Sequence, residues 1–153
     1  MMRLSKLTDY AVVMMVHMGQ ADGRVFSAAQ ISEETGVPAP TVAKLLKELA
    51  RGGLLASIRG VNGGYRMERT PEDISIAEIV QALEGPIALT ACVDGADDNC
   101  NVESLCGMRG NWNKVNTAIR SALEGVSLAE MALQPVIFPL PEELTGETVE
   151  ERV

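Results

Sequence analysis

The stretch "SAAQISEETGVPAPTVAKLLKELARGG", residues 27–53, decides the fold. Ser27 followed by Gln30 is a capping-box signature, so a helix is predicted to start there, with Ala28, Ile31 and Ala29 on its inner face and Gly36 closing it. Two prolines, Pro38 and Pro40, fall where a second helix would begin, in the one turn that tolerates them. Val42, Leu45, Leu46 and Leu49 then recur at helical spacing until Gly52 and Gly53 stop the run. Two short helices joined by a tight glycine turn form a helix-turn-helix.

The segment after the helix pair is equally specific. In "LLASIRGVNGGYRMERT", residues 54–70, two alternating runs flank Asn62-Gly63-Gly64, a strong hairpin signal. A hairpin directly after a helix-turn-helix makes a winged helix. Upstream, "TDYAVVMMVHMGQADG" reads as a helix with Thr8 at its cap and its end between Gly19 and Gly23. Downstream, Ser75 and Glu78 form another capping box, with Ile76, Ile79, Val80 and Leu83 inward. Beyond residue 107, Met108, Trp112, Val115, Ile119 and Ala122 repeat at spacings of four and three, a narrow apolar seam suited to a partner helix from a second copy. Asn113, Lys114, Asn116 and Thr117 read as the polar remainder of that helix. "SLAEM", residues 127–131, adds a helical turn, and the proline-punctuated acidic tail is expected to be disordered. Only 3% of the residues are aromatic, so methionine and aliphatic side chains must fill the core.

Charge divides the chain. Net charge is −8, yet residues 1–70 carry nine Lys/Arg against six Asp/Glu, while residues 71–153 carry four against fifteen. Six basic residues lie between Lys44 and Arg69. This split suits a DNA-binding front with an acidic sensing or dimerising back. On the second helix of the pair, Pro40, Thr41 and Lys44 are placed to meet base edges in the major groove, and Lys47 and Arg51 to meet phosphates. Arg59 and Arg66 flank the wing, whose glycine tip can approach a minor groove.

All three cysteines, Cys92, Cys100 and Cys106, lie in one acidic stretch. Close Cys-x2–4-Cys pairs for structural zinc and a Cys-x-x-Cys redox pair are both absent. Spacing alone leaves an iron–sulfur cluster, zinc and reactive thiols open. No run approaches the roughly 18 apolar residues of a membrane span, no signal peptide is read in "YAVVMMV", and the odd cysteine count points to a reducing cytoplasm.

The segments "MRLSKLTDYAV" (2–12), "ISEETGVPAPTVAKLLKEL" (31–49) and "IRGVNGGYRM" (58–67), with the three cysteines followed by Trp112, resemble the bacterial winged-helix regulators that include IscR, NsrR and RirA, often written Rrf-two. The resemblance runs from Met2 to about Pro135 and is greatest to regulators of SUF-type iron–sulfur cluster assembly. It implies a mainly α fold with a small β wing, and a [2Fe–2S] or [4Fe–4S] cluster held by Cys92, Cys100 and Cys106. Some relatives add a histidine three residues after the last cysteine, where this chain has Arg109, a side chain with no lone pair to offer. Another branch takes an acidic residue from the first helix of the opposite subunit, a position matched by Asp9. His17, the one imidazole, is expected to be buried among methionines on the same helix, as a core or boundary histidine.

The expected layout is a winged-helix domain at 1–84 (helix-turn-helix about 28–51, wing about 55–69) and a cysteine loop at 85–107. A dimerisation helix with a short following helix occupies 108–135, and an acidic tail 136–153. The expected function is a cytoplasmic homodimer on double-stranded promoter DNA, with no membrane partner and no enzymatic activity. It would repress SUF or iron-homeostasis genes in response to a cluster. The competing expectations are a thiol- or nitric-oxide-responsive regulator without a stable cluster, and a cluster carrier that binds no DNA.

Overall fold

The computed structural model describes residues 3–96, 100–102, 105–108 and 110–133. The first helix, α1 (Lys6–Gly19), is capped by Ser5, whose hydroxyl accepts the Thr8 N–H. Thr8 therefore is not the cap. It lies one turn inside and is fully buried, with its hydroxyl bonded to Glu84 and 3.0 Å from the Ser5 hydroxyl. Ala11, Met14, Met15 and Met18 follow at three- and four-residue steps and form the inward stripe. Unbranched methionines suit this role, because they fill irregular gaps that a chain poor in aromatics leaves.

The helix pair forms as α2 (Ala28–Thr35) and α3 (Ala39–Arg51). The Ser27–Gln30 capping box is present in both directions, and Gly36 ends α2 in the left-handed region at φ 78°. Ile31, Val42, Leu45, Leu46 and Leu49 are all at 0% exposure. Ala29 is exposed, leaving Ala28 and Ile31 as the inner face of α2.

The wing is a two-stranded antiparallel sheet of β1 (Ala56–Ile58) and β2 (Gly64–Arg66), with Ala56 opposite Arg66, Ser57 opposite Tyr65 and Ile58 opposite Gly64. A third segment joins it. Phe26, just ahead of α2, exchanges both backbone hydrogen bonds with Tyr65, each at 2.8 Å. Gly64 is required there: its φ is +155°, and a Cβ would run into the Phe26 carbonyl.

After a 3-10 turn at Pro71–Asp73, α4 (Ile76–Glu84) starts with the Ser75–Glu78 capping box. It buries Ile76, Ile79 and Val80. Then come the cysteine loop, α5 (Asn111–Glu124) and α6 (Leu128–Ala132), the last carrying its own capping box between Ser127 and Glu130. The chain returns to the winged helix at this point. Ile76 donates to the Val126 carbonyl at 2.9 Å, Leu128 donates to the Ile74 carbonyl at 2.8 Å, and the Leu128 side chain is wholly buried.

This return splits the apolar seam of α5. Ile119, Leu123 and Val126 pack against the protomer's own core, whereas Met108, Trp112 and Val115 stay 56%, 42% and 44% exposed. Of the five seam positions Ile119 thus serves the fold, and Met108, Trp112, Val115 and Ala122 are left exposed. The expected acidic tail, 136–153, lies outside the described residues.

Candidate nucleic-acid interface and cysteine loop

Burial of one face of α3 dictates what the other face offers. With Val42, Leu45, Leu46 and Leu49 inward, Pro40, Lys44, Lys47 and Arg51 are exposed, and Thr41 is half-buried. Arg59 is exposed at the end of β1. Lys44, Lys47, Arg51 and Arg59 form no ion pair among the described residues. Arg66 is half-buried and pairs with Glu68 at 3.3 Å. Arg69, part of the same basic run, is committed to the scaffold: it bonds Glu78 at 2.7 Å and the Asp73 carbonyl, and its guanidinium holds the Glu78 carboxyl below the usual range. The cations left for phosphates are therefore on α3 and the near edge of the wing.

His17 is not enclosed by methionines. It is half-buried at the end of α1, with Nε2 2.6 Å from Glu34 on α2 and its ring edge-on to Phe26 at 5.5 Å. Arg24 bonds the other Glu34 oxygen at 3.0 Å and lies over the Phe26 ring. The hydrogen bond from His17, with Arg24 beside it, lowers the Glu34 pKa. This clasp ties α1, α2 and the wing root together, and explains the histidine structurally.

Cys92, Cys100 and Cys106 are free, half-buried thiols on the loop between α4 and α5. The Cys92 sulfur is 3.3 Å from the Thr90 hydroxyl, and the adjacent Val93 is buried apart from the main core. In donor chemistry the set fits an iron–sulfur group, which is held mainly by thiolates. Among the described residues, no three His, Cys, Asp or Glu side chains converge on a point that could hold a single metal ion. Asp9 stands exposed on the first turn of α1, lining an open groove of about 530 Å³ with Leu4, Val12, Ile76 and Met131. Arg109 lies outside the described residues.

Two loop-facing residues escape a reading by pattern. Asn116 of α5 is buried; its Oδ1 accepts the Leu89 N–H at 3.0 Å and its Nδ2 donates to the Ile87 carbonyl at 2.9 Å. One turn earlier, Asn113 accepts the Asp94 N–H at 3.0 Å and donates to the Asp94 carboxylate at 3.1 Å. Their partners lie 19 to 29 positions away, and helical spacing alone marks both only as polar surface.

A helix-turn-helix, a hairpin wing and free cations on one exposed helix face define a winged-helix DNA-binding regulator. The chain belongs to the Rrf2 family, whose model, described as an iron-dependent transcriptional regulator, matches residues 4–134. It is similar to protein aau3 of Rhizobium meliloti strain 1021, 28% identical over 130 residues that cover 85% of this chain and 84% of the relative. Among solved structures it is similar to CymR (YrzC), the global cysteine regulator of B. subtilis, at 25% identity and a TM-score of 0.63, covering 86% and 97% of the two chains. It is also similar to T. potens IscR, at 30% identity and a TM-score of 0.58, covering 85% of each. The family is one of transcriptional regulators rather than enzymes. No helix among the described residues is long and apolar enough to cross a membrane.

Proposed function

We propose that this chain is an iron–sulfur-sensing transcriptional repressor of SUF-type cluster-assembly or iron-homeostasis genes, acting as a homodimer on promoter DNA in the cytoplasm. The observation that carries the reading is the placement of three free thiols on one loop, between the winged helix and the helix with the open apolar face. Cys92, Cys100 and Cys106 would hold the cluster, with Asp9 contributed across the dimer as the fourth ligand. When bound, the cluster supplies a redox-active centre whose loss frees the loop.

The rest of the work falls to this chain's own side chains. Pro40, Thr41 and Lys44 face base edges; Lys47 and Arg51 face phosphates, and the wing brings Arg59 and, once it exchanges Glu68 for DNA, Arg66 to the minor groove. Met108, Trp112 and Val115 pack on their counterparts in a second copy. Two recognition helices must then meet half-sites about one helical turn, roughly 34 Å, apart, so a small change of dimer pose changes affinity.

The test is anaerobic purification from iron-replete cells, with iron and sulfide analysis and gel shifts on promoter DNA. Near-stoichiometric iron and sulfide, and an operator affinity that changes on cluster loss, support the reading. Colourless protein, or Cys→Ser variants with unaltered operator response, reject it. A second reading has its own support: the Cys92 sulfur already has a hydroxyl neighbour, and the fold is similar to that of a cysteine regulator. Under it, oxidation or nitrosylation of the thiols drives the same change without a metal.

A further inference from the structure

Cys92 lies in a span that is fastened on both sides by one helix. The segment leading to it is pinned at Ile87 and Leu89 by Asn116, and the segment leaving it is pinned at Asp94 by Asn113. Both amides belong to α5 and stand three residues apart, so they project from one face of the helix. Each partner is a backbone N–H together with a carbonyl or carboxylate, which leaves the amide only one satisfactory orientation. Cys100 and Cys106 lie beyond this fastened span.

We propose that Asn113 and Asn116 are positioning residues for Cys92. They make residues 87–94 and α5 one mechanical unit, so that a change in the bonding of the Cys92 sulfur reaches the helix that carries the exposed Trp112 and Val115, the residues open to a second copy. For its regulatory meaning this rests on Cys92 being a working thiol, as in the function proposed above. The linkage itself needs no metal.

The test uses reduced, metal-free, full-length protein. Each cysteine is alkylated with iodoacetamide and its rate is followed by peptide mass spectrometry in wild type, Asn113→Ala, Asn116→Asp and, as a control on the same helix, Thr117→Ala. Either Asn substitution should speed alkylation of Cys92 by about tenfold, the factor that corresponds to the net worth of about one to two hydrogen bonds, and leave Cys100 and Cys106 within about twofold. Thr117→Ala should match wild type. An unchanged Cys92 rate, or an equal rise at all three thiols, overturns the proposal, the latter because it signals general loosening. Should Asn116→Asp fail to fold, Asn113→Ala, whose side chain is only half-buried, decides alone.

A second readout separates positioning from mere support. Trp112, the chain's one tryptophan, precedes Asn113 at the start of α5 and reports its pose by fluorescence. With Cys100 and Cys106 replaced by serine, alkylating Cys92 should shift Trp112 emission in the wild-type helix and shift it clearly less in Asn113→Ala, where only the Asn116 bonds remain. A shift of wild-type size in the variant overturns the proposal. Because no cluster is present, this experiment can fail while iron and sulfide analysis still succeeds, and the reverse.

Discussion

Between Phe26 and Leu49, Phe26, Ile31, Val42, Leu45, Leu46 and Leu49 have no exposed surface, whereas between Gly85 and Asn116 only Ile87, Val93 and Asn116 are buried among the described residues. The first region is held by close-packed aliphatic side chains, a non-directional force that resists gradual deformation. The second is held by a few directional hydrogen bonds from Asn113 and Asn116. Such bonds contribute little each and break one at a time, so a loop built this way opens at low cost. A rigid reader joined to a lightly fastened loop is what a switch requires: chemistry at the loop can alter pose without unfolding the part that touches DNA.

The contrast breaks first in stability. Leu46→Ala should destabilise the protomer by about 2–5 kcal/mol, through lost transfer energy and a cavity. Leu105→Ala, at a loop residue 92% exposed, should stay within about 0.5 kcal/mol, and urea denaturation distinguishes them. Equal losses would mean that the loop is as tightly built as the reader. Next comes assembly. Trp112→Ala should weaken dimerisation by about 2 kcal/mol or more, the range of buried aromatic anchors, with protomer circular dichroism unchanged; sedimentation equilibrium reads this. A third effect concerns the reading face. Lys44→Ala should cost about 1–3 kcal/mol at the operator, while Lys47→Ala should chiefly lower the salt dependence, by about one unit of slope.

Much of the winged helix is legible in the residues themselves. Capping boxes at Ser27 and Ser75, helical spacing through Leu49 and the Asn62-Gly63-Gly64 turn are local signals, complete within a few positions. Errors arise where two local candidates compete or where partners are distant. Ser5 and Thr8 are both good caps; Thr8 turns inward because Glu84, 76 positions away, accepts its hydroxyl. His17 is drawn out of the methionine stripe by Glu34 and Arg24. Asn113 and Asn116 have the composition of helix surface, and only the path of the loop gives them partners. In the same way, the apolar seam of α5 is visible in its spacing, but its division at Ile119 depends on where Leu128 returns.

The smallest effect tests the joint between the two regions. The Thr8 hydroxyl and the Ser5 N–H, the latter at 2.9 Å, hold the Glu84 carboxyl below its usual value of 4.5. Because the folded value is the lower one, this contribution is complete above pH 4.5 and is lost as pH falls through the depressed value. Glu84→Gln should therefore lower the urea midpoint slightly near pH 7, and the gap to wild type should close as pH falls below the depressed Glu84 value. A gap that survives in acid would show that Glu84 acts by shape rather than charge.

The pair of backbone bonds between Phe26 and Tyr65 has a consequence for evolution as well as for motion. They weld the hairpin to the chain entering α2, so groove helix and wing travel as a single jaw and cannot be retuned one against the other. In the proposed dimer, a lineage that needs a new operator spacing must change how two jaws meet, and one that needs a new sequence must change side chains on a frame that stays put.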